Sequence, residues 1–212
     1  MRAFDAGIRM TSLSLAFAFI SFVPAVGQRV PSEAKSPKQV VEEFVRRDLG
    51  GERLTEKGRS TLSGFFAQQS QPQKDEKIVL VSPEYDLTQA EGSSDRAKFH
   101  VLFRQFYGKL DSALNFEPAL DSASNGVPIK RGILSSFALI RVGKHGESEP
   151  LRQEKTNVDA DTEWKIDGSQ PPICISLTTA GRYLSEISMA DRDPTRRNNA
   201  SRTLAMLRKK NK

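Results

Sequence analysis

The side chains best suited to chemistry are few and scattered in this sequence of 212 residues. It contains two histidines, His100 and His145, and a single cysteine, Cys174. Metal-binding histidine, cysteine and carboxylate ligands must be grouped, and the sequence shows no such grouping. Phosphate-binding loops, dinucleotide fingerprints, zinc-protease helices and nucleophile elbows are absent as well. The sequence therefore predicts no metal, no cofactor and no catalytic set of residues.

Cys174 has no second cysteine with which to form an internal disulfide bond. Its neighbours are Ile173 and Ile175, so we expect it to act as a small apolar side chain in a buried strand. The alternative is a thiol that reacts or pairs between two chains. Stability must in either case come from a packed core.

The place of His100 follows from the strand pattern over residues 97–107, the longest in the sequence. We expect a central strand that is covered, at least in part, on both sides. Alternate side chains point to opposite sides of a strand. One side carries Phe99, Val101, Phe103 and Tyr107, and the other carries His100, Leu102, Arg104 and Phe106. If the first side faces the interior, His100 faces outward and is more suited to a structural role than to catalysis.

Two helices are predicted before the strands. Ser36, a following proline and Gln39 form a capping box, and the pair Gly50-Gly51 ends the first helix. Thr55 is the predicted N-cap of the second helix, whose apolar side carries Leu62, Phe65 and Phe66. The apolar side of the first helix is formed by Val40, Val41, Phe44, Val45 and Leu49.

The pattern then changes to the two-residue period of strands. Residues 90–95 and 168–172 are predicted to be turns. The Trp164 strand should pair with the strand at 133–142, because the two are neighbours along the chain. The predicted strands are residues 78–81, 85–89, 97–107, a short one near 114–116, 133–142, the Trp164 strand and the apolar segment 173–177.

The amino terminus is typical of a cleaved secretory signal. Arg2 and Arg9 precede an uncharged apolar run at residues 10–23, and Ala25-Val26-Gly27 offers small residues for cleavage. The run is shorter than the roughly 20 residues that span a bilayer. The sequence therefore predicts a secreted or periplasmic protein, cleaved near Gly27-Gln28.

The net charge of +6 is concentrated at the carboxyl terminus. Residues 190–212 contain eight Lys or Arg and two Asp, whereas residues 28–189 are nearly balanced. Thr179 is predicted to cap one helix and Asp193-Pro194 to start the last one. The last helix could bind an anionic envelope surface or pack on its own domain with solvated cations. Its basic surface comprises Arg196, Arg197, Arg202, Arg208, Lys209 and Lys210.

Residues 36–176 resemble the core of the NTF2-like (SnoaL-like, cystatin-like) superfamily. The resemblance rests on two opening helices followed by strands, and on the late strand Glu163-Trp164-Lys165-Ile166-Asp167 before a proline turn. The usual third helix is not evident, and the helices after Thr178 are additional. The resemblance implies an α+β fold in which two N-terminal helices pack on a curved, cone-shaped antiparallel sheet, with C-terminal helices added.

The resemblance also implies a pocket inside the cone, used in different members for catalysis, small-ligand binding or protein contacts. The residues expected to line it are Phe99, Val101, Phe103, Tyr107 and Trp164. Members with isomerase or dehydratase activity carry a pocket acid or histidine and a tyrosine. The corresponding candidates in this sequence are Tyr85, Asp86, His100, Tyr107 and Asp111.

The sequence thus predicts a signal peptide (1–27), a flexible lead (28–35), one α+β domain (36–189) and a basic helical tail (190–212). We expect a non-enzymatic binding or interaction module of the cell envelope, whose partner is a small apolar ligand. The alternatives are an isomerase-like enzyme that uses Tyr107 with Asp86 or His100, and attachment to the envelope through the tail. A homodimer is a further candidate, and nucleic acid is not an expected partner.

Overall fold

The computed structural model describes residues 34–68, 77–119, 132–143 and 162–210. The predicted signal peptide and residues 28–33 of the lead lie outside these ranges. The described chain contains four α-helices, one short 3-10 helix and eight strands. The predicted α+β class is confirmed. A single cone-shaped sheet is not, because the strands form two separate four-stranded sheets.

The two opening helices begin at the predicted residues, but α2 ends before Phe65 and Phe66, which the prediction placed on its apolar side. Helix α1 is Pro37–Leu49, a 3-10 helix follows at Glu52–Leu54, and α2 is Glu56–Ser63. Ser36 and Gln39 complete the capping box, and the Thr55 side chain accepts from the Gly58 N–H. Gly51 turns the chain after α1 with φ of 84°, a conformation that favours glycine. These local signals place α1 and the 3-10 helix side by side.

The strands divide between two sheets. In the first sheet the order is β2-β3-β6-β7 and every pair is antiparallel. In the second sheet the order is β5-β4-β1-β8, and β1 and β8 are parallel. The predicted pairing of the Trp164 strand, β7, with β6 is confirmed. The strands are β1 Ile78–Val81, β2 Tyr85–Gly92, β3 Arg96–Phe103, β4 Phe106–Leu110, β5 Phe116–Pro118, β6 Ile133–Gly143, β7 Thr162–Asp167 and β8 Ile173–Ser176.

The prediction of one strand over residues 97–107 is wrong. The chain leaves the first sheet after β3 and enters the second as β4. At the crossing, the Arg104 N–H donates to the Glu84 carbonyl and the Gln105 carbonyl accepts from the Ser82 N–H. Alternation persists across the crossing, so the pattern alone cannot show that the chain changes sheet. The outer side of β3 is also more open than predicted, since Leu102 is 42% exposed.

Three boundaries differ from the prediction. Strand β2 continues through Gly92, into the predicted turn, because its residues pair with β3 across a bulge. The short strand is Phe116–Pro118 instead of 114–116, since Leu114 has φ of 66° and belongs to a turn. Helix α3, Leu177–Ala190, is capped by Ser176, whose side chain accepts from the Thr179 N–H.

Helix α4 is Pro194–Lys210 and begins where Asp193-Pro194 predicted. The Asp193 carboxylate accepts from the Thr195 N–H at 2.8 Å. The helix packs along α3, which agrees with the interpretation of the basic tail as a helix docked on its own domain. Its buried side carries Ala200, Thr203 and Leu207.

Strands β1 and β8 send alternate side chains into two cores. Val79 and Cys174 belong to the first core, which lies among α1, the end of α2 and the inner side of the first sheet. Ile78 and Ile173 belong to the second core, under α3 and α4. The second sheet is therefore a middle layer, covered on both sides. This explains why β1 and β8 are short and almost entirely apolar.

A buried ion pair joins the start of the fold to its end. Arg53 and Asp48 are 1% and 3% exposed, and Nε and Nη2 of Arg53 donate to the two carboxylate oxygens at 2.7 and 2.5 Å. Arg53 also donates to the carbonyls of Pro171 and Pro172, and the Cys174 N–H donates to Asp48 at 2.8 Å. Desolvation raises the pKa of Asp48, and its hydrogen bonds oppose that rise. Asp48 and Arg53 therefore neutralise each other, so neither charge is buried without an opposite charge beside it.

We expect Asp48→Ala to lower the free energy of unfolding by about 3–5 kcal/mol, because it leaves the Arg53 charge buried and unpaired. Urea denaturation measures this change. The matched control is Glu42→Ala, which removes a partly exposed pair to Lys38 and should cost less than about 1 kcal/mol. Equal costs for the two variants would contradict a special role for the buried pair.

Candidate functional site

The residues predicted to line a pocket occupy different places. Phe99, Val101 and Phe103 are buried in the first core, on the side of β3 that faces α1. Trp164 is half-buried beside them, with the Arg141 guanidinium 6.0 Å from its ring centre. Tyr107 lies in β4 and packs on the second core. The structure therefore brings four of the five together, without Tyr107.

The inner side of the first sheet is filled by side chains from α1, from the end of α2 and from the residues that follow it. The Phe44 ring makes edge contacts with Phe65, Phe66 and Phe137, with ring centres 5.4 to 5.9 Å apart. The cavity next to Phe44, Phe103 and Phe137 has a volume of about 10 Å³. That is about the space of one water molecule. In this part of the described chain, the aromatic residues form a packed core.

The candidate catalytic groups do not meet either. Nδ1 of His100 lies 2.9 Å from Oγ of Ser136 on the outer side of the first sheet, which agrees with the predicted outward orientation. Asp86 lies on the same side and is paired with Arg104 at 3.1 Å. A nucleophilic serine needs a base within hydrogen-bond reach, and His100 lies at that distance from Ser136. Tyr107, however, lies in the other sheet, so the predicted combination with His100 or Asp86 is not assembled.

A different cavity is lined by charged and polar side chains, and we call it the arginine cavity. Its volume is about 160 Å³, some ten times the space that one water requires. It lies among the 3-10 helix, α2, the β4–β5 turn, α3 and the first turn of α4. The apolar part of its lining is Leu54, Ile78, Leu114 and Ile173, and the polar part is Arg53, Arg59, Asp111, Ser112, Tyr183 and Arg196.

The β4–β5 turn forms one wall of the arginine cavity and is held in place from two directions. Both oxygens of the Asp111 carboxylate accept from Asn115, through its backbone N–H and its side-chain amide. Desolvation acts to raise the pKa of Asp111, but the bonds from Asn115 and the Ala113 N–H outweigh it and lower that pKa. From α4, Thr203 donates to the Leu114 carbonyl at 2.8 Å. The wall is thus fixed before any ligand arrives.

Several hydrogen-bond donors in the cavity are not used by the fold. Arg59, Ser112 and Tyr183 form no side-chain hydrogen bond or ion pair with a residue in the described ranges. Nε of Arg196 is buried and makes no hydrogen bond there, and its nearest carboxylate oxygen, on Asp191, lies 3.5 Å away. Arg59 and Ser112 are exposed and Tyr183 is partly buried, so the cost of a buried donor without an acceptor applies here to Nε of Arg196. These groups can donate hydrogen bonds to the oxygen atoms of an anion.

Sequence reasoning missed this site because its residues come from seven elements of the fold, several of them distant in the chain. Arg59, Ser112, Tyr183 and Arg196 carry no common motif and share no spacing. The one available signal was Arg196, which the sequence assigned to the basic surface of the last helix. It is partly buried and lines the cavity instead.

The rest of the predicted basic surface lies on α4. Arg197, Arg202, Arg208 and Lys209 are exposed, whereas the side chain of Lys210 lies outside the described part of the structure. The apolar side of α4 is buried against the domain. The exposed cations therefore form a mainly electrostatic surface, in which Met206 is the large apolar side chain of α4 that stays exposed.

Cys174 is buried in the first core, as the sequence predicted. Desolvation raises the pKa of its thiol to about 12, and the nearby Asp48 carboxylate adds to the rise while Arg53 opposes it. The Sγ atom lies 3.6 Å from the Pro172 carbonyl oxygen. The thiol is thus kept protonated and away from solvent.

No model of a known family matches the sequence, and no curated protein or solved structure is similar to it. In the described ranges, no set of three His, Cys, Asp or Glu side chains could bind a metal ion. None of the helices described is both long and apolar enough to cross a membrane. Function must therefore be inferred from the geometry of this chain.

We expect Cys174 in the folded protein to resist a thiol reagent such as iodoacetamide at about pH 8, because the thiolate is the reactive form. The same reagent should label it quickly once guanidinium chloride unfolds the chain. Mass spectrometry of the alkylated protein measures both rates. Rapid labelling of the folded chain would show that the thiol is accessible and support the reactive alternative.

Proposed function

We propose that this protein is a non-enzymatic binding module of the cell envelope and that its binding site is the arginine cavity. The observation that carries the proposal is the group of donors that line one cavity and make no side-chain hydrogen bond in the described chain: Arg59, Ser112, Tyr183 and Arg196, the last of which is ion-paired with Asp191. The walls of the cavity are held by the fold itself. Such a site can bind a ligand without a large rearrangement.

This proposal moves the site away from the cone that an NTF2-like fold would provide. Helix α1 packs on the inner side of the first sheet, where the NTF2-like resemblance would place the pocket. The same packing leaves about 10 Å³ beside Phe44, which argues against a small apolar ligand there. A resident ligand therefore fits better on the other side of the second sheet.

An enzyme of the isomerase kind is the weaker alternative. It requires an acid or base and a tyrosine within hydrogen-bond reach of one substrate. His100 and Asp86 lie on the outer side of the first sheet, whereas Tyr107 packs on the second core. Their separation favours binding over catalysis.

Export stays part of the proposal, because the charged start, apolar run and small residues of 1–27 are typical of a cleaved signal. A homodimer also stays a prediction. The outer side of the first sheet is the surface that suits it, since Leu102 and Leu134 are paired in register and are 42% and 58% exposed.

We expect the protein recovered from its own exported fraction to carry a small ligand, detected as a mass increment by native mass spectrometry. Arg59→Gln should reduce the liganded fraction. Because Arg59 is exposed and has no ion-pair partner among the described residues, this substitution should change the free energy of unfolding by less than about 0.5 kcal/mol. The matched control is Arg46→Gln, on the exposed side of α1. Equal retention by both variants would place the ligand elsewhere.

Attachment through the basic surface of α4 is the second candidate function. It is favoured by the four exposed cations Arg197, Arg202, Arg208 and Lys209 on one docked helix. The buried apolar side restricts this attachment to electrostatic attraction, which salt screens. It could operate together with ligand binding, since Arg59 and Tyr183 are not part of the basic surface.

We expect the protein to sediment with vesicles of anionic phospholipid at low salt and to be released at high salt. Each basic residue near such a surface contributes about 1 kcal/mol, so the triple variant Arg197→Gln, Arg202→Gln, Arg208→Gln should bind roughly a hundredfold more weakly. Arg59→Gln serves as the control and should bind normally. Undiminished sedimentation of the triple variant would exclude this surface.

A further inference from the structure

We propose that the ligand of the arginine cavity is a small organic monoanion, namely a carboxylate on a short apolar body. This inference rests on the proposed function, because it names the ligand class of the same site. It follows from three properties of the cavity: the sign and size of its charge, the division of its lining, and its volume.

The charge of the lining favours a single negative charge on the ligand. Arg53, Arg59 and Arg196 are positive, but Arg53 is paired with Asp48, and Arg196 is paired with Asp191 at 3.5 Å. Asp111 adds one negative charge to the lining. Among the described lining residues, Arg59 is the guanidinium without a carboxylate partner, so a ligand would meet its single positive charge. A monoanion neutralises it, whereas a phosphate dianion would place a second negative charge close to the Asp111 carboxylate.

The donors suit a carboxylate. A guanidinium offers parallel N–H donors that match the two oxygens of a carboxylate, and such charge-assisted bonds are stronger than neutral ones. Arg59 has its guanidinium unpaired among the described residues, and Tyr183 and Ser112 each offer a hydroxyl. The ammonium of a cationic ligand would instead face two arginines. The cavity therefore discriminates strongly by charge.

The apolar part of the lining calls for a carbon body on the anion. Leu54, Ile78, Leu114 and Ile173 line the cavity together with the polar groups. Ile78 and Ile173 belong to the neighbouring strands β1 and β8 and are partners in register, so they form one continuous apolar wall. Contact with this wall favours an aliphatic chain over a fully hydrated inorganic ion.

The volume limits the length of that chain. At about 160 Å³, the cavity is smaller than the roughly 300 Å³ and more that drug-sized ligands occupy. A carboxylate with a body of a few carbon atoms fits this space. Because a short probe makes few contacts, we expect it to bind more weakly than the resident ligand, with dissociation constants in the millimolar range.

The test is an NMR titration of the mature chain, residues 28–212, with sodium butyrate, butyramide and inorganic phosphate at matched ionic strength. Butyrate should bind with saturable shifts, and the neutral butyramide should bind at least about tenfold more weakly, because a hydrogen bond to a charged group is lost. Phosphate should also bind more weakly than butyrate. Arg59→Gln and Tyr183→Phe should each weaken butyrate by about tenfold or less, and Arg46→Gln should not.

Other outcomes would overturn the inference in distinguishable ways. Tighter binding of phosphate than of butyrate would replace the carboxylate by a phosphate ligand and leave the binding function intact. Equal binding of butyrate and butyramide would show that the charge is not recognised. Butyrate shifts that persist unchanged in both variants would place the ion outside the cavity. If no probe binds and the exported protein also carries no ligand, the proposed function fails together with the inference.

Discussion

The fold depends on the buried pair of Asp48 and Arg53. Asp48 stands at the end of α1, Arg53 in the 3-10 helix, and their hydrogen bonds extend to the Pro171-Pro172 turn and to the N–H of Cys174 at the start of β8. Four segments are thus held by one charged network. Burial of both charges would be costly without these bonds, so the segments must come together as a unit.

This network also determines the shape of the candidate site. Arg53 donates to Asp48 with one side of its guanidinium and is part of the lining of the arginine cavity. Because Arg53 is paired with Asp48 and Arg196 with Asp191, the positive charge left for a ligand comes from Arg59. The parallel pairing of β8 with β1 then places Ile173 beside Ile78 as the apolar wall. Stability and binding therefore share the same residues without competing for the same hydrogen bonds.

The last helix illustrates how one element can serve two purposes. Ala200 and Leu207 bury its apolar side in the second core, while Thr203 fixes the β4–β5 turn. Arg196 lies in the first turn of α4 and lines the cavity, whereas the arginines at 197, 202 and 208 are exposed to solvent. The excess charge of the chain is therefore divided between a site and a surface.

The features that depend on residues close together in the chain could be predicted from the sequence. The capping box at Ser36 and Gln39, the start of α4 at Asp193-Pro194 and the burial of Cys174 between two isoleucines all follow from local hydrogen bonding and apolar periodicity. Pairing of β6 with β7 could also be predicted, because the strands are adjacent along the chain. Only the tertiary structure decided that residues 97–107 divide between two sheets, since alternation continues unchanged while the partner strand changes. The arginine cavity could not be predicted either. Packing between distant segments brings together Arg59, Ser112, Tyr183 and Arg196, and no spacing in the sequence indicates that they meet.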